Sequence, residues 1–201
     1  MKKQIMLIAI MYMATFGTML AQHDHSEHMK KDDHSSHMKK DMDGNMTMVK
    51  KYDVDAKFQT QLNGVMTANQ NLVDAFLNDD EASIKKAITE LSGSLMKVDM
   101  SLLSGEAHHK WMEYMNEIKS EAKQISGAND IGFQRIHLAK LNDALYKSLK
   151  AFGTGGIDVY YNHCPMANNV GANWLTTSSE IQNPYMGQKM PKCGSNKEIL
   201  N

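Results

Sequence analysis

Residues 84–102 read IKKAITELSGSLMKVDMSL, with Ile84, Ile88, Leu91, Leu95, Val98 and Leu102 spaced by 4, 3, 4, 3 and 4 positions. That alternation puts the apolar residues on one stripe of an α-helix and leaves the lysines and serines on the other side. The flanking sequence repeats the pattern. Phe58, Leu62, Val65, Leu72 and Phe76 line a first helix, Trp111, Met115, Ile118, Ala122 and Ile125 a third, and Leu138, Leu141, Leu145, Leu149 and Phe152 a fourth. Helix stop and start residues fall between the stripes: Asn78-Asp79-Asp80, Ser104-Gly105 and Gly127-Ala128-Asn129-Asp130. The connections are short, so successive helices are expected to run antiparallel. The expected fold is all-α, an up-down-up-down four-helix bundle over residues 52–152. In that topology the start of the first helix, the turn around His108-His109 and the end of the fourth helix share one end.

Upstream of the helices, residues 22–51 hold almost no aliphatic side chains, and their lysines are balanced by aspartates and glutamates. Such a segment buries too little apolar surface to offset its ordering entropy and is expected to be disordered without a ligand. It carries a duplicated cassette. His25-Ser26-Glu27-His28-Met29-Lys30-Lys31-Asp32 recurs nine residues later as His34-Ser35-Ser36-His37-Met38-Lys39-Lys40-Asp41. With His23, Met42, Met46 and Met48, the segment presents five histidines followed by methionines nearest the helices. Imidazole suits copper(II), zinc and nickel, while thioether adds affinity for copper(I). These residues are read as a capture tail for metal ions.

Before the tail, Lys2 and Lys3 precede an apolar run from Ile5 to Leu20 that is short for a membrane span. Residues 1–21 therefore read as a signal peptide cleaved near Ala21, and the mature chain is expected in a periplasm, with no membrane insertion after cleavage. The net charge of -1 gives no electrostatic reason to expect nucleic acid as a partner.

After Phe152 the helical pattern stops at Gly153-Thr154-Gly155-Gly156. Ile157–Tyr161 reads as a short extended piece, and the rest of residues 153–201 as irregular loops packed on the bundle. This segment contains the chain's two cysteines, Cys164 and Cys193. His163-Cys164-Pro165-Met166 and the later Met186, Met190 and Cys193 form a soft-ligand constellation suited to copper(I) or silver(I). Pro165 drives Cys164 out of helical geometry, so Cys164 and Met166 project from one loop. The competing reading is a Cys164–Cys193 disulfide with the methionines as core filler, which would stabilise by about 3–4 kcal/mol. Spacing alone slightly favours the disulfide; the duplicated His/Met cassette of the tail turns the reading toward metal. His108, His109 and Met112 at a helix start, and His137 in the fourth helix, are weaker candidates. No phosphate-binding glycine loop, nucleophile elbow, His-Glu-x-x-His pair or Cys-x-x-Cys pair is present in the sequence, so no enzymatic activity is expected.

Tyr160-Tyr161-Asn162-His163-Cys164-Pro165-Met166-Ala167-Asn168, Gly171-Ala172-Asn173-Trp174-Leu175, Ile181-Gln182-Asn183-Pro184-Tyr185-Met186-Gly187, Lys189-Met190 and Cys193-Gly194 together resemble one bacterial domain family of unknown function. That family is found alone in envelope proteins and fused to CusB-type adaptors of heavy-metal efflux pumps. The resemblance runs from about Tyr52 to the C-terminus. It implies a helical domain with a metal-handling C-terminal segment in which Cys164, Met166, Met190 and Cys193 are ligands. It also implies an efflux adaptor or another envelope protein as partner. The chain lacks the adaptor's own hairpin and barrel regions. The functional expectation is a periplasmic binder of copper(I), with silver(I), copper(II) or zinc as other cargoes, that sequesters the metal or hands it to efflux. The alternative is a disulfide-closed helical interaction module of the envelope.

Overall fold

Aspartates start most of the helices. The structure, a computed structural model, describes residues 49–201, which belong to a unit beginning at Thr47. Helix α1 spans Ala56–Leu77, and the Asp55 carboxylate before it accepts from the Lys57 amide at 2.7 Å. Helix α2 spans Glu81–Met96, and Asp80 accepts from the amides of Ala82 and Ser83. Helix α3 spans Gly105–Gly127 and α4 spans Ile131–Phe152, the latter capped by Asp130 accepting from the Phe133 amide at 2.6 Å. These carboxylates satisfy amides that a helix leaves without partners in its first turn. The breaks at residues 78–80 and 127–130 fall between helices, and Ser104-Gly105 marks the start of α3. The second helix is shorter than its apolar pattern: it stops at Met96, and a 3₁₀ turn over Met100–Leu102 carries the spacing onward. Asp99 makes that turn, accepting from both the amide and the hydroxyl of Ser101.

The stripes read from the sequence meet in one core. Phe58 sits edge-on to Trp111 and to Phe152, with ring centroids 5.4 and 5.3 Å apart, and all three are buried. Helix α1 packs on α2 and α3 on α4. At one end of the core, the Tyr52 amide donates to the Ala151 carbonyl at 2.8 Å, while Lys50 and Tyr52 both reach Glu106 at the start of α3. The beginning of α1, the beginning of α3 and the end of α4 are therefore neighbours.

The C-terminal segment is not irregular, and the all-α expectation is corrected here. Three strands, β1 (Val159–Cys164), β2 (Ala172–Thr176) and β3 (Ser195–Leu200), form an antiparallel sheet in the order β2-β1-β3. Tyr161 pairs with Leu175 and Cys164 with Ala172, while Val159 pairs with Leu200 and His163 with Ser195. The strands are five or six residues long and are separated by Gly-, Asn- and Pro-rich loops. Strands this short show too little alternation to stand out from loop sequence.

The sheet is bonded into the helices. Buried Asn69 of α1 donates to Asn142 of α4 at 3.1 Å. Asn142 accepts from the Leu175 amide at 3.0 Å, and Asn69 reaches the Leu175 carbonyl at 3.4 Å. Two helix side chains thus stand in for the missing neighbour strand on the outer edge of β2, which answers the usual liability of an unpaired edge. Tyr146 of α4 stacks on Tyr161 of β1 at 4.0 Å, and Glu198 of β3 takes the Tyr146 hydroxyl and the Lys150 ammonium, both at 2.6 Å.

The expected signal peptide, and all of the expected tail except 49–51, lie outside the described residues. Among the described residues, no helix is long and apolar enough to cross a membrane.

Candidate metal centre

Cys164 closes β1, and Cys193 lies just before Gly194 and the first residue of β3. Because His163 pairs with Ser195, the two cysteines occupy neighbouring positions, one at the end of β1 and the other just before β3. Their Sγ atoms stand 2.9 Å apart and both are free thiols. Cys164 is buried and Cys193 partly exposed. Sulfurs separated by 29 residues in sequence have been brought into direct contact.

The loops around the pair are built to hold this arrangement. Between β1 and β2 the chain turns through Asn168, Asn169 and Gly171, all with positive φ, and Asn168 donates to the Arg135 carbonyl at 3.3 Å. Between β2 and β3, buried Asn183 organises the loop. Its carbonyl oxygen accepts from the amides of Tyr185 (2.8 Å) and Met186 (3.2 Å), and its amide group donates to the Cys193 carbonyl at 2.6 Å. Its backbone amide donates to Pro191 at 2.7 Å. Arg135 pins the same loop to the helices, donating to the Pro184 carbonyl at 2.8 Å and pairing with Asp79 at 2.5 Å. Gly194 must be glycine. Its φ is 138°, and a Cβ there would come within 2.7 Å of the Trp174 ring and 2.9 Å of the His163 carbonyl oxygen.

The electrostatics single out Cys164. Burial is the largest influence on its thiol and pushes the pKa up. Hydrogen bonds from the Cys193 thiol, from the amides of Met166 and Ala167 and from the Asn183 side chain outweigh it, so the pKa falls below the ordinary thiol value. Cys193 moves the other way: its hydrogen bond to Cys164, then burial and the charge of its neighbour, raise its pKa. Of the two, the buried sulfur therefore gives up its proton more readily than the exposed one. A thiolate is both the metal-binding and the nucleophilic form of cysteine.

The other residues singled out in the sequence divide sharply. Met166 follows Cys164 by two residues and is 52% exposed, and Met190, in the Cys193 loop, is 38% exposed. Met186 lies in the same loop and packs partly on the core. These three thioethers belong to the two loops that carry the thiols. His163 does not join them. Neighbouring side chains on a strand point to opposite faces, and its ring bonds to Asn173 at 2.8 Å, with Gly171 beneath it. His137 is also engaged elsewhere, held at 2.6 Å by Glu121 of α3 and lying against Phe133. His108 and His109 sit at the start of α3, with rings 5.8 Å apart. Among the described residues, no three of His, Cys, Asp and Glu converge on one point. Of the protein's sulfur donors in this segment, the loop thioethers are those that could join the two cysteines. His23, His25, His28, Met29, His34, His37, Met38, Met42, Met46 and Met48 fall outside the described residues.

Sequence reasoning missed Asn183, Gly194 and the two amides of the Cys164 turn. The Asn183-Pro184 pair is a turn signal that could have flagged the first. The amides carry no sequence signature.

Residues 65–156 match the model of a family described as protein of unknown function (DUF3347). The match runs from within α1 to just beyond α4 and stops before β1, so neither cysteine and none of the three loop methionines lies inside it. No curated protein and no solved structure matches the chain.

Proposed function

We propose that the protein binds a soft metal ion, with copper(I) the best fit, at Cys164 and Cys193, and that it works in the periplasm to sequester the ion or hand it to a heavy-metal efflux system. The observation that carries this reading is the contact of two free thiols at 2.9 Å in a segment that also presents Met166, Met186 and Met190. Two thiolates and thioethers form an all-sulfur set, which selects copper(I) or silver(I) over magnesium and calcium. Copper(I) is satisfied by two or three ligands, so the lack of a third His or carboxylate nearby is no obstacle. Thiolate–metal bonds of about 2.3 Å would set two ligating sulfurs roughly 3.5–4.5 Å apart. The pair would have to open slightly, with Cys193 as the sulfur on the more exposed loop. On this reading the helices run up-down-up-down as a scaffold, and the His/Met tail gathers ions, with copper(II) and zinc as further tail cargoes. The resemblance to envelope proteins and to domains fused to CusB-type adaptors supports an efflux adaptor as recipient. The account needs no catalytic turnover.

The test is a copper(I) competition titration on the reduced mature chain under anaerobic conditions. The affinity should fall by at least about 100-fold in the Cys164→Ser, Cys193→Ser double variant, on the order of 2.7 kcal/mol. An unchanged affinity would reject the sulfur site.

A second reading is favoured by the same contact. Thiols this close can join, and the molecule would then be a disulfide-closed interaction module of the envelope. Mass spectrometry of protein taken directly from cells would support that reading if the two cysteines were uniformly joined and copper in the growth medium made no difference.

A further inference from the structure

The ligands in this sequence divide by copper oxidation state. Imidazoles suit copper(II), whereas thiolates and thioethers suit copper(I). A chain that meets copper(II) and retains copper(I) needs one electron for each ion. Methionine gives up electrons by taking an oxygen atom, which is a different reaction. The two thiols are a ready two-electron source, and the fold places them together at 2.9 Å.

We propose that the Cys164–Cys193 pair is a reductant as well as a ligand, reducing copper(II) to copper(I) as it closes into a disulfide. The inference rests on the soft-metal reading and deepens it. In the reaction two copper(II) ions each accept one electron. The two S–H bonds break, two protons leave to solvent, one S–S bond forms, and two copper(I) ions result. Copper(II) is the oxidant, and no other reagent is needed.

Three features of the geometry support this step. The cysteines sit at neighbouring positions of β1 and the entry to β3, so the sulfurs can join without a shift in strand register. Cys193 is partly exposed and gives the ion access, while Cys164 is shielded from other oxidants. Met166 and Met190, both substantially exposed on the loops that carry the thiols, remain as thioether ligands for copper(I) after the thiols have joined. The two competing fates of the cysteines, ligand and crosslink, then become successive states of one molecule.

The experiment adds copper(II) sulfate to the reduced mature chain without oxygen, in the presence of a chromogenic chelator specific for copper(I), and counts free thiols in parallel. The expected result is two copper(I) ions released to the chelator per chain as the thiol count falls from two to zero. Cys164→Ser and Cys193→Ser should each slow the reduction by about tenfold or more, because the remaining thiol loses its oriented partner. Retention of both thiols with copper(II) present, thiol loss without matching copper(I), or single variants that keep the wild-type rate would each overturn the proposal. Direct titration of the reduced chain with copper(I) separates the two claims. Tight copper(I) binding without copper(II) reduction rejects the reductant and keeps the soft-metal site. Reduction without tight copper(I) binding does the reverse.

Discussion

The helical core and the C-terminal sheet-and-loop region share one apolar cluster but differ in the polar bonding added to it. The helical core is apolar packing around Phe58, Trp111 and Phe152. The C-terminal region adds Val159, Trp174, Leu175 and Leu200 to the same apolar cluster and is tied down by specific hydrogen bonds: Asn183 to three backbone groups of its own loop, Arg135 to Pro184 and Asp79, and the Asn69–Asn142 pair to the β2 edge. Stability as a whole comes from the shared core, and the geometry of the sulfur pair from the added polar bonds. The core sets the frame, and the bonded loops set the distance between two sulfurs.

Substitutions can break that division if it is wrong. The largest effect belongs to the core: Trp111→Ala should destabilise the molecule by about 3–5 kcal/mol in urea unfolding. Asn183→Ala should remove about 2–3 kcal/mol by leaving buried amides and a carbonyl unpaired. Its main signature should be faster hydrogen exchange in the loop, with little change in the helices, and a weaker hold on copper(I). Helix amides that open as much as loop amides would show that the regions are one cooperative unit. Gly194→Ala should cost about 1–3 kcal/mol, because alanine is strained at this φ and its methyl meets Trp174. Copper(I) affinity should fall with it, and an unaltered affinity would mean that the approach of β3 to β1 does not set the site.

The smallest effect is a pH dependence at the seam between the regions. Burial raises the Glu198 pKa as its largest single influence, but hydrogen bonds from Lys150 and Tyr146 outweigh it and hold the carboxyl below its ordinary value of 4.5. A carboxyl depressed in the folded state contributes stability above its unfolded pKa and loses it as pH falls through the folded value. The difference in melting temperature between the wild-type chain and Glu198→Gln should therefore shrink as pH is lowered from neutral to below that value. A difference that stays constant would remove Glu198 as a link between β3 and α4.

How much was legible in the sequence follows the same division. Helices declare themselves locally: the stripe from Ile84, and the aspartates before α1, α2 and α4, are visible within a few residues of each other. The end of α2 at Met96 was less visible, because Val98 and Leu102 keep the apolar spacing through a non-helical turn. The sheet was missed because its evidence is non-local. Nothing in Ala172–Thr176 reveals that its outer edge will be closed by Asn69, more than 100 residues away. For the site, residue chemistry was enough to nominate Cys164, Cys193, Met166, Met186 and Met190. It could not reject His163, whose direction is fixed by strand alternation. It did not foresee Asn183, whose role exists only once its loop has folded.

The most direct measurement of the central claim is X-ray absorption at the copper edge, on the reduced full chain loaded with one equivalent of copper(I). The account predicts a shell of sulfur alone that changes its coordination in the Cys164→Ser, Cys193→Ser variant. A nitrogen or oxygen shell, or a sulfur shell identical in that variant, would contradict it.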